Sequence, residues 1–335
     1  MSFSQKLTAT LSSHLSTAAA VSIAPLIVLQ SALASEAANF SQIYAFGDSL
    51  VDTGNAFALT TELIGTGVPP EPYFEGRFAN GPIWIDYLSN DLNIPQTSFG
   101  FGGSFTSREA STQLGGPIPG LELPGLLTQV DEFTAQSTAD PDALYVIWAG
   151  ANDYVSGGVT NPQEPVSNIA EAVTALGSVG AQNFLLANQP DFGTLPVLNQ
   201  PGVTPETRLA FNQAAELHNQ GLAQAVEGLQ AAGLNAEVLD ANALIREAQA
   251  GNLGFENTTE SCISNPSCVG SEEVQASTLF WDEIHPTSRA HAIVATAARE
   301  QLEGEMVSTP EPGVVLGLLL LGGLSASGLK RTLDA

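Results

Sequence analysis

Short apolar runs alternate with helical patterns from about residue 39 to residue 302, and this alternation limits the possible folds more than any other feature. The run at 143–149, ALYVIWA, is almost wholly apolar, as expected for a strand buried on both faces. Strands that alternate with helices favour a parallel sheet with helices on both faces. The sequence therefore predicts an α/β fold with a central, mostly parallel sheet. Further strands are expected at 42–46, 98–101, 183–187 and 236–239.

Three apolar stripes predict helices between and after the later strands. One stripe covers residues 166–177, and a second covers 211–229, before a stop at Gly233. The third begins after His285, with Pro286 at the first helical position and a packed face from Ala290 to Ala297. Gly- and Pro-rich stretches at 65–72 and 115–124 are expected to form loops over one edge of the sheet. The body shows no internal repeat and no linker to a second domain.

The charge balance excludes several classes of function. Lys and Arg total 9 against 35 Asp and Glu, which gives a net charge of −26. Such a chain repels nucleic acid and anionic membrane surfaces. The two lysines, Lys6 and Lys330, stand near the ends, so the body lacks the lysine that Walker-type phosphate loops and pyridoxal enzymes require. Its chemistry must use Ser, His, Asp, Asn and a few Arg side chains.

The N-terminus has the pattern of a secretory signal peptide over residues 1–34. Lys6 precedes an apolar stretch at 18–33, and Ala32-Leu33-Ala34 forms a cleavage site, so a signal peptidase is expected to leave Ser35 as the first residue. The alternative is a buried N-terminal helix.

The tail at 306–335 contains Pro310-Glu311-Pro312, an apolar run at 313–329 and then Lys330-Arg331. This order resembles the PEP-CTERM sorting signal of Gram-negative bacteria. The resemblance implies a secreted or cell-surface protein that is anchored transiently in the membrane and cleaved by an exosortase. The alternative is a plain membrane anchor. The remaining domain spans residues 35–305.

Cys262 and Cys268 are the two cysteines of the chain. Because the export route is oxidising, a disulfide is expected between them, with a stabilisation of about 2–2.5 kcal/mol in the chain-entropy model. A metal site is disfavoured, since the spacing is not C-x-x-C and no histidine lies near the pair before His285.

Polar residues and glycines follow three of the predicted strands, at the edge where parallel α/β sheets form their sites. They are Gly47-Asp48-Ser49, Gly102-Gly103-Ser104 and Gly150-Ala151-Asn152-Asp153. A fourth element, at 281–286, lies near the end of the body. Each element alone has an ordinary structural explanation as a turn, a helix cap or a surface pair, but together they indicate an active site.

Ser49 is the candidate nucleophile, and a serine needs a base to take its proton. His285 is the candidate base, because Asp282 precedes it by three residues and can hold one ring nitrogen. At a helix N-terminus the dipole would disfavour the imidazolium while Asp282 favours it. His218 lies on an apolar stripe and is expected in the core. His291 is expected to serve packing or to lie at the surface.

An oxyanion in acyl transfer needs hydrogen-bond donors. The candidates are the backbone N–H groups of Ser49 and Gly103 and the side-chain amide of Asn152, each at the end of a different predicted strand.

These motifs resemble those of the GDSL/SGNH hydrolase family over nearly the whole body. The matching blocks are 46–55 (FGDSLVDTGN), 76–84 (GRFANGPIW), 99–104 (FGFGGS), 150–153 (GAND) and the pair Asp282 and His285. The resemblance implies a three-layer, flavodoxin-like α/β/α sandwich that hydrolyses esters or lipids without metal or cofactor. The second block often begins with asparagine, and Ser98 stands there in this chain, which makes Gly102 the nearest substitute for Gly103.

The sequence thus predicts an exported, monomeric serine hydrolase that acts on small-molecule or lipid carboxylic esters. Two alternatives stay open: an acyltransferase with the same site, and a non-catalytic extracellular matrix or binding protein on the same fold. Five apolar loop residues could contact an acyl chain, although packing under a loop is the favoured explanation. They are Ile64, Val68, Leu121, Leu123 and Leu126.

Overall fold

A computed structural model describes residues 40–108 and 123–308 of the chain. The predicted signal peptide and nearly all of the predicted sorting tail lie outside these residues. The last helix ends at Ser308, three residues beyond the expected domain boundary at 305.

A five-stranded parallel sheet forms the centre of the described body, with strand order β2-β1-β3-β4-β5. This is the doubly wound order of flavodoxin-like folds, whose site lies where the winding reverses, at the carboxyl ends of β1 and β3. The prediction of a mostly parallel central sheet is confirmed. The strands are β1 Ile43–Gly47, β2 Gln96–Ser98, β3 Leu144–Trp148, β4 Asn183–Ala187 and β5 Asn235–Leu239.

Ten helices surround the sheet in the described residues. They are α1 Asn55–Ile64, α2 Trp84–Leu92, α3 Leu126–Gln136, α4 Ala151–Val155, α5 Gln163–Ser178, α6 Pro205–Ala231, α7 Ala241–Gln249, α8 Pro266–Val269, α9 Glu272–Ala276 and α10 Ser288–Ser308. Two short 3-10 helices cover Phe192–Thr194 and Pro196–Asn199.

Each face of the sheet has its own core, because side chains alternate along a strand. On one face Tyr145 and Ile147 pack with residues of α3, α5 and α6. On the other face Leu144 and Val146 pack with residues of α2 and α10. The layers are therefore helix, sheet and helix, as predicted.

Three sequence expectations need correction. The second strand lies at 96–98 and not at 98–101, although the N–H groups of Phe99 and Phe101 still donate to the carbonyls of Ala45 and Gly47 in β1. Pro286 does not begin the last helix. It forms a β-bridge with Phe280, the carbonyl of His285 accepts from the Trp281 N–H, and α10 starts at Ser288. His285 consequently stands in a turn before the helix.

The third correction concerns a second sheet that the hydrophobic pattern did not predict. Strands β6 Asn257–Ser261 and β7 Thr278–Phe280 pair in parallel. β6 is mostly polar and partly exposed, so it lacks the apolar run by which the other strands were found. β7 leads directly into the 281–286 element and fixes its position at the site.

Cys262 and Cys268 lie side by side, with their Cα atoms 5.3 Å apart, which is within the range of a disulfide. Both pack against Trp281 and Tyr73. Among the described helices, none has the length and apolar character that crossing a membrane requires. The described residues also contain no cluster of His, Cys, Asp or Glu arranged for a metal ion.

Candidate active site

Ser49 stands in a tight turn directly after β1. Gly47 makes this turn possible, because its φ of 139° is left-handed and a Cβ there would stand 1.9 Å from the carbonyl oxygen of Trp148. The buried side chain of Gln129 bonds both the N–H and the C=O of Gly47 at 2.9 Å. The nucleophile candidate is thus carried on a rigid strand end, with 7% of its surface exposed.

Three side chains from distant parts of the chain form one hydrogen-bonded row. Ser49 Oγ lies 2.7 Å from His285 Nε2, and His285 Nδ1 lies 2.7 Å from Asp282 Oδ2. The second oxygen of Asp282 accepts from the backbone N–H groups of Ile284 and His285 at 2.8 and 2.7 Å. The structure therefore brings the sequence-predicted nucleophile, base and acid into the geometry of a serine hydrolase triad.

The electrostatics of the row keep Asp282 ionised. Burial alone would raise the pKa of Asp282, but His285 and the backbone N–H groups outweigh burial and lower this pKa to about 2. Burial would lower the pKa of His285, but the carboxyl groups of Asp282 and Asp48 outweigh it and raise the pKa above 6.5. Since Asp282 is a carboxylate, it accepts a hydrogen bond from the Nδ1–H group of His285. Nε2 is then unprotonated and can take the proton of Ser49.

The three donors predicted for an oxyanion hole are available in the described residues, and Asn152 lines the same cavity as Ser49. The N–H groups of Ser49 and Gly103 have no acceptor within the described residues. The amide of Asn152, in the first turn of α4, donates one hydrogen to the carbonyl of Ser104 at 3.1 Å and keeps the other available. Gly150, with a φ of 125°, turns the chain from β3 into this helix.

The glycine of the oxyanion hole can be assigned between Gly102 and Gly103. The N–H of Gly102 donates to the buried carboxyl of Asp52 at 2.8 Å and is therefore occupied. The serine at position 98 does not disturb this loop: its Oγ donates to the Val51 carbonyl at 2.5 Å and accepts from the Gly100 N–H at 3.1 Å. Gly103 thus stays the better candidate.

The segment at 73–84, called here the buttress, contacts the triad from several directions, and sequence reasoning assigned it no role. Tyr73 Oη donates to Asp282 Oδ2 at 2.7 Å, the same oxygen that faces His285. The Phe78 ring lies 5.1 Å from the His285 ring, centroid to centroid. Asn80 Oδ1 accepts from the Ser288 N–H at the start of α10. The available signal was the family block at 76–84.

A cavity of about 50 Å³, called here the Ser49 cavity, opens at the reacting groups. Ser49, Asn152 and His285 form its polar part. The rest of its wall is mainly apolar and comes chiefly from β3, the first 3-10 helix, α7, β7 and α10. Wall residues used below are Phe192, Ile245, Phe280, Ala290 and Val294.

Two buried titratable groups also line the Ser49 cavity. Burial raises the pKa of Asp48 to about 7. Burial lowers the pKa of His291 to about 3, and its ring nitrogens have no partner in the described residues. His291 is therefore a neutral, weakly basic histidine, and unlike His285 it makes no hydrogen bond to Ser49 among the described residues.

His218 lies in the core as predicted, fully buried on α6 with its Nδ1 3.0 Å from Tyr154 Oη. Of the five apolar loop residues, Leu123 and Leu126 are buried, Val68 is partly buried in the same core cluster as Leu123, and Ile64 is 49% exposed. Leu121 lies outside the described residues. Leu123, Leu126 and Val68 therefore pack in the core and do not line the Ser49 cavity.

A family model described as GDSL-like Lipase/Acylhydrolase matches residues 43–298. The chain belongs to this family. The match includes Ser49, Asn152, Asp282 and His285, so the predicted resemblance is confirmed.

Individual members show how widely the family varies. The chain is 27% identical to the phosphatidylcholine-sterol acyltransferase of Aeromonas hydrophila, over 79% of this chain and 91% of that protein. It is also 27% identical to an Arabidopsis thaliana protein named inactive GDSL esterase/lipase-like protein 23, over 74% and 76% of the two chains. A solved lipolytic G-D-S-L protein of Veillonella parvula covers 77% of this chain and 96% of its own, with 15% identity and a TM-score of 0.46.

Proposed function

We propose that this member of the GDSL-like lipase/acylhydrolase family hydrolyses carboxylic esters through an acyl-enzyme on Ser49. The observation that carries the proposal is the unbroken row from Ser49 Oγ through His285 to Asp282, with both contacts at 2.7 Å. Family membership alone does not support hydrolysis, since the Arabidopsis thaliana relative, which is as similar to this chain as the acyltransferase at 27% identity, is named inactive.

The reaction follows from the roles of the atoms. His285 Nε2 takes the proton of Ser49 as Oγ attacks the ester carbonyl, and the N–H groups of Ser49, Gly103 and Asn152 bind the oxyanion. The bond to the alcohol oxygen then breaks, and His285 donates its proton to the leaving alkoxide. A water molecule, deprotonated by His285, then attacks the acyl carbonyl; the bond to Ser49 Oγ breaks, His285 returns its proton to Oγ, and the carboxylic acid is released. No step calls for a metal or an organic cofactor.

Turnover of p-nitrophenyl acetate and butyrate tests the proposal. The wild type should release p-nitrophenol from both esters. Ser49→Ala should reduce kcat by about 10⁴–10⁶ while its melting temperature stays close to that of the wild type. A folded wild type that hydrolyses no ester, lipid or acetylated sugar would favour the binding-protein alternative.

A second candidate function is acyl transfer to an alcohol. It is favoured by one relative, the sterol acyltransferase, 91% of whose length aligns with this chain. The chemistry differs only in the acceptor, since an alcohol replaces water in the second step. Mass spectrometry of the products with and without a sterol or a simple alcohol distinguishes the two: formation of a new ester faster than free acid would establish transfer.

We also propose that the protein is exported and acts at the cell surface or outside it, as a monomer without nucleic-acid partners. The patterns at 1–34 and 306–335 support export, and the adjacent Cys262 and Cys268 support a disulfide formed on that route. Intact-mass analysis of the exported protein tests this. Retention of residues before Ser35, retention of the apolar tail, or two free thiols would each contradict the corresponding part.

A further inference from the structure

We propose that the Ser49 cavity binds the acyl part of the ester and limits it to short, uncharged chains with about two to three carbons beyond the carbonyl. This inference rests on the proposed hydrolase function and adds the substrate class. Its first support is position: the same cavity is lined by the candidate nucleophile, by the base and by the oxyanion amide of Asn152.

The wall chemistry suits a hydrocarbon chain. Beyond the reacting groups the wall is built from side chains such as Phe192, Ile245, Phe280 and Val294, all of them buried. An apolar chain that enters removes its surface from water, and beyond the reacting groups the polar side chains of this wall are Asp48 and His291. A chain ending in a carboxylate would leave water for this buried apolar wall with no cationic partner among Phe192, Phe280 and Val294, which costs free energy.

The direction of the cavity identifies which half of the ester it holds. Phe192, Phe280, Ala290 and Val294 are at most 4% exposed, so the cavity has no exit to solvent at those walls. A leaving alcohol must depart and water must replace it before the second step. The acyl group, in contrast, stays bonded to Ser49 until hydrolysis. A blind apolar cavity therefore fits the acyl group.

The volume sets the chain length. About 50 Å³ exceeds the roughly 10–15 Å³ that one water requires, and it is about a third of the roughly 150 Å³ apolar cavity that admits benzene. Acetyl, propionyl and butyryl groups fit this space. An octanoyl group would need the wall to open or would have to lie outside it.

A chain-length series of p-nitrophenyl esters, from acetate to octanoate, tests the proposal. In the wild type kcat/KM should rise about fourfold per added carbon up to butyrate, equivalent to ~0.8 kcal/mol per buried methylene, and fall for hexanoate and octanoate. A profile that is flat or that peaks at octanoate would overturn the proposal and leave the hydrolase function standing. Absence of any ester hydrolysis would instead overturn the proposed function.

Two substitutions with a matched control localise the limit. Val294→Ala removes two methyl groups from the wall and should move the optimum to hexanoate, with octanoate gaining at least tenfold relative to butyrate. Ala290→Val narrows the cavity and should move the optimum to acetate. Val226→Ala makes the same truncation in the core of the other sheet face and should keep the wild-type order. Melting temperatures show whether the variants fold. If Val294→Ala and Ala290→Val fold but keep the wild-type order of kcat/KM along the ester series, the assignment is contradicted. If either variant does not fold, the wild-type chain-length profile decides.

Discussion

Two neighbourhoods meet at His285, and they differ in how completely they are filled. In the buttress neighbourhood, the Phe78 ring lies tilted beside the imidazole, and the Tyr73 hydroxyl donates to the oxygen of Asp282 that faces it. In the Ser49 cavity, apolar walls surround about 50 Å³ of open space. The comparison suggests a division of tasks: the filled side fixes the orientation and charge of the base, and the open side receives substrate.

The buttress neighbourhood is also connected to the rest of the body by ring contacts and paired hydrogen bonds. Tyr73 packs edge-to-face against Trp281, which in turn packs with Cys262 and Cys268. Arg77 forms a paired hydrogen bond with Asp86 at 2.7 and 2.9 Å and ties the segment to α2. A group that must accept and return a proton in one place requires this kind of rigid support.

The largest effect is expected from removing the residue that both neighbourhoods share. His285→Ala should lower kcat by about as much as Ser49→Ala, in the range of 10⁴–10⁶, because His285 Nε2 is the group hydrogen-bonded to Ser49 Oγ. The matched control is His218→Ala, which should lower the melting temperature but change kcat less than tenfold, since His218 is buried against Tyr154. The opposite ranking would mean that the base has been assigned to the wrong histidine.

On the cavity side, Asn152→Ala should reduce kcat by about 10²–10³, because it removes one oxyanion donor. KM for butyrate should change little, since the apolar walls remain. Asn183→Ala serves as the control: Asn183 starts β4, at the opposite end of the sheet, and bonds the Pro141 carbonyl. Equal losses in both variants would indicate a general packing defect and not a missing donor.

On the buttress side, Tyr73→Phe should reduce kcat about tenfold and move the acid limb of kcat/KM upward by about 0.5–1 pH unit. Without the Tyr73 donor the Asp282 carboxylate stabilises the imidazolium more strongly, so the pKa of His285 rises. The control is Tyr87→Phe, which removes a tyrosine hydroxyl 2.9 Å from Ser288 Oγ without touching Asp282. A loss of rate in Tyr73→Phe without a shift of the limb would mean that Tyr73 acts only through packing.

Asp48→Asn should give the smallest change and a shift of opposite sign. The carboxyl of Asp48 helps to raise the pKa of His285, so its removal should move the acid limb to lower pH by less than about 0.5 unit. Titration of kcat/KM between pH 5 and 9 measures both shifts. Movement of the limb in the same direction as in Tyr73→Phe would contradict the electrostatic account.

The same variant has a consequence for stability. Burial raises the folded-state pKa of Asp48 from 3.8 to about 7, so its contribution to stability is complete below 3.8 and is lost as the pH rises through 7. The melting temperature of the wild type should accordingly be higher at pH 5.5 than at pH 8.5. Asp48→Asn should reduce that difference, as measured by thermal unfolding at both pH values.

The parallel sheet and the triad could be read from the sequence because both leave local signals. Buried strands such as β3 are continuous apolar runs, and Ser49, Asn152 and His285 stand in short motifs at strand ends. The start of α10 was predicted two residues too early, because Pro286 takes part in a β-bridge with Phe280 that no local pattern marks. Strand β6 was missed because its residues are polar and its pairing with β7 is long-range.

The role of Tyr73 illustrates the same limit more sharply. Tyr73 and Asp282 are separated by 209 positions, and nothing around Tyr73 in the sequence indicates a carboxylate partner. The Ser49 cavity has no signal either, because residues from β3, α7 and α10 form it together. Local pattern thus predicts which groups react, whereas the tuning of the base and the shape of the substrate site depend on contacts between distant segments.

Covalent labelling tests the central claim, that Ser49 is a nucleophile activated by His285. A fluorophosphonate probe followed by peptide mass spectrometry should place one label on Ser49 in the wild type and in His218→Ala, and almost none in His285→Ala. Labelling of another residue, or labelling of Ser49 at an undiminished rate without His285, would contradict the account.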